Sequence, residues 1–340
     1  MQILTAFTAK ARHGASRAAA ATVFLGALCA AGLSLAQPQT YPDKPIRFIV
    51  PSPPGGGTDA MSRLLAGKLG ELKWQMVVDN RAGAGGNLGL DLAAKSPPDG
   101  YTLVMGESSN LTINPFLYKS LPFDPAKDVA PVALVGTVPL VLVVAPGRPF
   151  NSLPSLIVAA RVAAAEKKSL VFASSGNGTV GHLVGEMWQR ASGATLLHVP
   201  YKGAGPVMTD LLGGQVDLHF ASLPAALPLV KSGKLRALAV TSAQRVPSLP
   251  GVPTFIESGF AGFDYSVFYG LLVPAGTPKS IVARLNTEIN RALQTPDMRA
   301  NLLERGVEVR PGSPEQFGVF LRNERSKWAR AVKESGATVD

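Results

Sequence analysis

The chain is almost without cysteine: 340 residues hold one, Cys29. It falls in an N-terminal stretch that reads as a cleaved leader. The mature chain is then left with no disulfide, no thiolate metal site and no cysteine nucleophile. Histidine is scarce too. Only His182, His198 and His219 follow the leader, no His-x-x-x-His pair occurs among them, and no metal site is expected. His198 and His219 sit inside apolar strand candidates and read as satisfied sheet histidines. Basic residues are scattered and do not cluster with aromatics, so the stripe that nucleic-acid binding needs is missing. The densest run, Arg322 to Lys333, is interrupted by Glu324 and followed by Glu334, as on a solvated helix face. Nucleotide loops are lacking as well. No Gly-Lys-Ser/Thr follows any glycine turn, and Gly83-Ala84-Gly85-Gly86-Asn87-Leu88-Gly89 has Leu88 where a dinucleotide fingerprint needs glycine. Gly106-Glu107-Ser108-Ser109-Asn110 opens like a nucleophile elbow but lacks its closing glycine. With no complete triad, metal cluster or cofactor loop, neither an enzyme nor a bound cofactor is expected.

What is present begins with the leader. Lys10, Arg12 and Arg17 precede an apolar stretch over 18–35, and Ser34-Leu35-Ala36 offers small residues for cleavage before Gln37. Residues 1–36 therefore read as a signal peptide, and the mature protein as exported to the periplasm. Gly26, Gly32 and the proline-rich sequel from Gln37 argue against a membrane span. Leu28 and Gly26 occupy positions that argue against lipidation of Cys29. The formal charge is +10; without Lys10, Arg12 and Arg17 it is +7, with 30 basic and 23 acidic residues. Such an excess suits anionic ligands through steering.

Beyond residue 40 short apolar runs alternate with helix-period segments. Strand candidates are 46–50, 76–79, 101–105, 132–135, 140–145, 170–173, 196–199, 216–220, 235–241 and 269–273. Their continuous apolar character suits strands buried on both faces of an α/β sheet. Helix candidates are a first one from Asp59, then 87–95, 153–165, 179–191, 204–213, 223–231, 278–294, 297–305 and 314–335. Ten strands exceed a comfortable single sheet, so two lobes are expected. Crossings between them are placed near Pro146–Pro149 and Gly259–Asp264.

Two glycine-rich turns stand out. Pro51-Ser52-Pro53-Pro54-Gly55-Gly56-Gly57-Thr58-Asp59 follows the run 46–50, and Ser174-Ser175-Gly176-Asn177-Gly178-Thr179 follows 170–173. Each reads as a strand turning into a helix start, where backbone N–H groups lack partners and the helix dipole is positive. Together they suggest two lobes offering donors to one anion. Asp59 either caps its helix or touches ligand. Thr58 can donate from its hydroxyl. His182 follows the second turn and either faces the ligand or packs away from it. Tyr201, in the junction Val199–Pro206, offers a ring and a hydroxyl, while Lys202 pairs with an anion or is simply solvated.

The order and spacing of several stretches resemble those of a known family across the mature chain. They include Tyr41–Ile46, Pro54–Asp59, Asn80–Asn87, Pro98–Leu103, Gly176–Thr179, His198–Gly203, Asp210–Asp217, Gly233–Thr241 and Pro274–Pro278. The chain resembles the substrate-binding proteins of tripartite tricarboxylate transporters, the Bug family. The resemblance implies the type II periplasmic-binding-protein (Venus flytrap) fold, with each lobe a mixed sheet flanked by helices and two crossover segments. Lobe 1 would comprise 37–145 plus 264–340, and lobe 2 would comprise 146–263. It implies capture of a small organic carboxylate for membrane permease subunits, by a monomer. An alternative is a sensor presenting its ligand to a membrane receptor; a hydrolase built on Ser108 and His182 is a further one. The resemblance places Gly55, Gly56, Thr58, Ser175, Gly176, Asn177 and Thr179 at the ligand, and with the direct reading of the residues the expected ligand-binding set adds Pro54 and Asp59 in the first turn. Ser108, Asn110, His182, Tyr201 and Ser222 complete the set. The chain departs from the family pattern at Ala221-Ser222, where relatives often carry Asp-Asn, and at Val180-Gly181, where Ser-Pro is common. Loss of a carboxylate at Ala221-Ser222 would favour a plain carboxylate ligand over an amino acid. A Gly56→Val change is expected to weaken binding by blocking backbone approach and straining the turn.

Overall fold

The computed structural model describes residues 41–339. The signal-peptide assignment, with Cys29, falls outside these residues. A compact unit starts at Lys44, and the fold is that of this unit. No helix among the described residues is long and apolar enough to cross a membrane.

The chain first runs through β1 (Ile46–Val50), α1 (Gly57–Glu71), β2 (Met76–Asn80), α2 (Asn87–Ala94) and β3 (Thr102–Glu107). A π-helical turn at Ser109–Ile113 and the short α3 (Asn114–Leu117) lead to β4 (Val129–Val144). A second run follows: α4 (Leu153–Ala165), β5 (Leu170–Ser174), α5 (Val180–Ser192), β6 (Leu196–Pro200), α6 (Ala204–Leu212), β7 (Leu218–Ser222), α7 (Leu223–Lys231) and β8 (Arg236–Val240). The chain then returns through β9 (Ser266–Pro274), α8 (Lys279–Leu293), α9 (Pro296–Glu304), β10 (Glu308–Val309) and α10 (Pro314–Ser335). Local chemistry sets several boundaries. Ser152 with Ser155, and Ser313 with Gln316, close capping boxes at α4 and α10. Gly193 and Gly336 end α5 and α10 in the left-handed region.

The strands form two half-sheets of one design. In the first, β1 lies between β2 and β3 with parallel pairing, and β9 then β4 continue antiparallel. In the second, β5 lies between β6 and β7 with parallel pairing, and β4 then β8 continue antiparallel. One strand serves both halves: β4 pairs with β9 from Val129 to Pro139 and with β7 from Leu140 to Val144. Each half has its own apolar core. Ile49, Val104, Leu272 and Phe317 belong to one; Val143, Ala173, Leu211 and Ala221 belong to the other. Helix α10 packs on β4 and also on α5.

The apolar runs 132–135 and 140–145, expected as separate strands, are one sixteen-residue strand. Gly136, Thr137 and Pro139 interrupt the apolar pattern at the place where β4 changes partners, so the sequence shows a gap where the backbone stays extended. Helix α1 starts at Gly57, two residues before the expected Asp59. The pattern gave no sign of β10, the π-helical turn or α3, whose lengths are too short to display a period.

Trp188 is wholly buried in the second half, with Phe220, Phe255 and Phe260 at ring-centroid distances of 6.1, 6.5 and 6.5 Å. Trp188→Ala is expected to lower stability by about 3–5 kcal/mol, read from the urea midpoint at unchanged slope.

Candidate functional site

In an open α/β sheet, ligands bind beyond the carboxyl ends of the parallel strands, beside the strand where the order reverses. Here β1 and β5 are those strands, and their carboxyl ends face one cleft. Loops after all six parallel strands line a cavity of about 510 Å³. Pro51 to Pro53 with Gly56, Ala82 to Gly86, and Glu107 with Ser109 come from the first half. Ser175 to Asn177, Tyr201 to Gly203, and Ser222 come from the second. Leu140, Val267 and Tyr269, on the strands that link the halves, complete the lining. The size suits a small ligand. Glycines allow the facing loops to meet: a side chain on Gly203 would run into Pro53, and one on Gly178 into Asn114.

In the first turn, Gly55 takes φ +87° and Gly56 is the N-cap of α1, with φ −81° and ψ 171°. The strained position is therefore Gly55, and Gly56 is ordinary extended backbone. A Cβ on Gly56 would meet only the Pro53 carbonyl, at 3.8 Å. The expectation that Gly56→Val strains the turn fails on this geometry; obstruction of the cavity remains. Asp59 does not face the cavity. It accepts from the Gly55 N–H at 3.0 Å, from Arg63 at 3.0 Å and from Asn80 at 2.9 Å. Burial opposes ionisation of Asp59, but these bonds prevail and hold its carboxyl below the usual range. Asp59 thus ties the turn from behind, leaving the first N–H groups of α1 aimed at the cleft without intrahelical acceptors.

The second turn is braced in a different way. Gly176 and Gly178 take φ +137° and +77°. Thr179 caps α5 by accepting from the His182 N–H, and its hydroxyl donates to the Gly176 carbonyl at 2.8 Å. Behind it, the rings of His182 and His198 stack with centroids 4.2 Å apart and planes 13° from parallel. Nδ1 of His182 accepts from the Gly178 N–H at 3.3 Å, and Nε2 of His198 meets the Ser174 hydroxyl at 2.7 Å. Burial lowers the pKa of His182 to about 3 and that of His198 to about 4, so both stay neutral near pH 7.

Metal ligation deserves a separate test, because His182, Glu186 and His198 bring potential ligand atoms within 4.8 Å of one another. Glu186 lies one helical turn after His182, a spacing that the absence of a His-x-x-x-His pair does not reveal. A metal lies close to the plane of each imidazole that binds it. Two stacked, nearly parallel rings offer no point in both planes, so the trio does not fit one ion in this arrangement. The rings serve instead as a neutral prop for the turn.

At the cavity floor, the Thr58 hydroxyl donates to Glu107 at 2.7 Å. Tyr269 sets its hydroxyl against those of Ser222 and Thr58. Burial pushes the Glu107 carboxyl above its usual range, relieved in part by Thr58, and burial raises Tyr269 as well. The backbone of α1 comes close here: a Cβ on Gly57 would stand 2.6 Å from Ser222 Oγ.

The expected residues divide on this geometry. Gly56, Thr58, Ser175, Gly176, Asn177, Thr179, Tyr201 and Ser222 line the cavity; Pro54, Gly55, Asp59, Ser108, Asn110 and His182 do not. Pro54 and Gly55 point out to solvent. Ser108 Oγ accepts from the Phe268 N–H at 2.9 Å, and Asn110 accepts from the Glu107 N–H at 3.0 Å, so both shape the loop after β3. The Thr58 proton goes to Glu107, and the Tyr201 hydroxyl donates to Asp210 at 2.6 Å, which leaves the Tyr201 ring for the cavity. Glu107, Tyr269, Gly57 and Tyr118 were missed. For Glu107 a signal existed: it is a lone acid at the carboxyl end of an apolar strand. The cavity is not short of a carboxylate, as Ala221-Ser222 suggested, since β3 supplies one.

The chain matches the model of the tripartite tricarboxylate transporter family receptor over residues 61–337. It is 42% identical to the protein BugT of Bordetella pertussis over 300 residues, 88% of this chain and 91% of BugT. Among solved structures, Rpa4515 of R. palustris with adipate superposes with a TM-score of 0.84 at 35% identity, covering 88% of this chain and 99% of that one. The periplasmic binding protein BugD superposes with a TM-score of 0.82 at 34% identity, covering 88% and 99%. The chain belongs to the tripartite tricarboxylate transporter receptor family and has its two-lobed periplasmic-binding-protein fold.

The buried histidines predict an acid response. His182, His198 and His219 (about 3, 4 and 4) are neutral in the fold but protonate near pH 6.5 when unfolded. Below pH 6.5 the unfolded state binds more protons, so their contribution is complete above that value and is lost as pH falls towards 4. The urea midpoint should drop steadily over that window, and His198→Phe should make the slope shallower.

Proposed function

We propose that this receptor captures a small organic carboxylate between its lobes in the periplasm and delivers it, without catalysis, to the membrane permease subunits of a tripartite tricarboxylate-type transporter. The single observation that carries the reading is the pair of glycine turns. Each sits at the carboxyl end of the central parallel strand of its half-sheet, and the first residues of both following helices, Gly57 and Thr58 in α1 and Val180 and Gly181 in α5, line one cavity. The adipate complex of Rpa4515 supports a carboxylate as the ligand class. We take the mobile bodies to be 37–145 plus 264–340 on one side and 146–263 on the other, acting as a monomer. The carboxylate meets donors from both lobes only when they approach, so its binding free energy favours the closed form. Backbone donors suit this task, because they are rigid and carry no counterion that must be displaced. Gly56, Thr58, Ser175, Gly176, Asn177, Thr179, Tyr201 and Ser222 are the proposed contact set; Pro54, Gly55, Asp59, Ser108, Asn110 and His182 hold it in shape.

A thermal-shift screen of mono- and dicarboxylates and aromatic acids tests the ligand class, and small-angle scattering with the best hit tests closure. Compaction on binding is expected; full affinity without compaction would remove the closure mechanism. Gly56→Val should fold normally yet lose affinity at least about tenfold, since its side chain enters the space where charge-assisted bonds worth roughly 1.5–3 kcal/mol each are made. Gly57→Ala should weaken binding by holding α1 away from Ser222. A calorimetric dissociation constant unchanged in both variants would contradict the assigned anion site.

A further inference from the structure

The carboxylate of Glu107 stands in a cavity that the reading above assigns to an anion. It comes from the carboxyl end of β3, lines the cavity, and takes one hydrogen bond from the protein, the Thr58 hydroxyl at 2.7 Å. No lysine, arginine or histidine among the described residues forms an ion pair with it. Its second oxygen is left to whatever fills the cavity. Nearby polar groups do not relieve it: the Tyr269 hydroxyl is turned to Ser222 and Thr58. Thr58 is the second residue of α1, so the acid lies within one side chain of the helix start that offers N–H groups to the ligand. In its ionised form the acid repels a bound carboxylate so close by, at a cost that rises as closure expels water, and burial already disfavours that form. A ligand group that donates a hydrogen bond to Glu107 turns this conflict into a match.

We propose that Glu107 selects ligands that carry, near their carboxylate, a hydrogen-bond donor, either ammonium or hydroxyl, and disfavours a second carboxylate in that place. The proposal rests on the carboxylate reading of the site and narrows it. An acid held by one hydroxyl in a cleft that closes over its ligand is a poor arrangement for an apolar occupant, because an unpaired carboxylate shut away from water is costly. A donor makes the charge-assisted bond that the second oxygen lacks. Specificity then comes from the penalty on the wrong ligand as much as from the bond to the right one.

The test is a matched series measured by calorimetry: butanoate and its hydroxy, amino and carboxy derivatives at carbons 2, 3 and 4, against wild type and Glu107→Gln. The best hydroxy or amino acid is expected to bind wild type at least about tenfold more tightly than butanoate or the matching dicarboxylate, the size of one charge-assisted bond. Glu107→Gln keeps the shape and the Thr58 contact, so it should erase most of that preference and raise affinity for the dicarboxylates. Loss confined to the amino acids identifies a cation as the preferred donor; loss in both sets identifies any donor. The proposal is overturned if wild type binds butanoate or a dicarboxylate as well as every donor-bearing acid, if Glu107→Gln leaves the ranking unchanged, or if nothing in the series binds. The wild-type ranking alone decides should the variant fail to fold. Amino alcohols lacking the carboxylate separate the two readings: binding equal to that of the amino acids would sink the carboxylate assignment itself.

Discussion

A single strand shared by two half-sheets is the constraint on which the rest of this molecule depends. Strand β4 is antiparallel to β9 in one half and to β7 and β8 in the other, so one continuous strand, with bulges in its pairing, joins both halves. Its chain direction, with that of β9, fixes where the parallel strands of each half must end. Those ends come to one cleft, and six loops follow from them. The residues at the change of partner, Leu140 on β4 and Val267 and Tyr269 on β9, become lining of the cavity. The link between the half-sheets is therefore also part of the cavity wall, so the closure proposed above would reshape the cavity directly.

Around that frame the electrostatics come in layers. Backbone N–H groups at two helix starts provide a fixed positive potential, beside the exposed Lys202 on the cavity wall. Each turn is held by groups behind it: a carboxylate bound to Arg63, Asn80 and the Gly55 N–H on one side, and a stacked neutral histidine pair on the other. Glu107 opposes the positive field from the floor. On the proposed reading, the balance of these three elements sets which anions fit, and the ring of Tyr201 forms part of the wall that faces them.

Much of the fold was legible in residue patterns. Nine of the ten expected strand segments map one to one or in merged form onto β1–β8, and the last onto β9, because short apolar runs buried on both faces leave a clear mark. Helices α4 and α10 matched closely, since capping residues and period reinforce each other there, and the nine-residue α7 matched without a side-chain cap. The failures had physical causes as well. A strand that changes partners carries Gly136, Thr137 and Pro139 where its surroundings change, and these imitate a turn. Both glycine turns were found, but not the direction of each side chain within them: Thr58 and Tyr201 spend their hydroxyl protons on protein acceptors, and Asp59 faces away from the cavity.

By itself the sequence determined the alternation of elements, the two glycine turns and, through the order of many short motifs, the family. These are local or linear properties, encoded by spacing along one chain. Only the tertiary structure decided that Glu107, Thr58, Ser222 and Tyr269 share one cavity floor, and that His182 and His198 stack behind a loop instead of facing the ligand. Such groupings join residues as distant in the chain as Thr58 and Tyr269 through a strand common to both halves. No local pattern records which side chains meet there, because the meeting is set by sheet order and by the close approach of backbone at Gly57, Gly178 and Gly203.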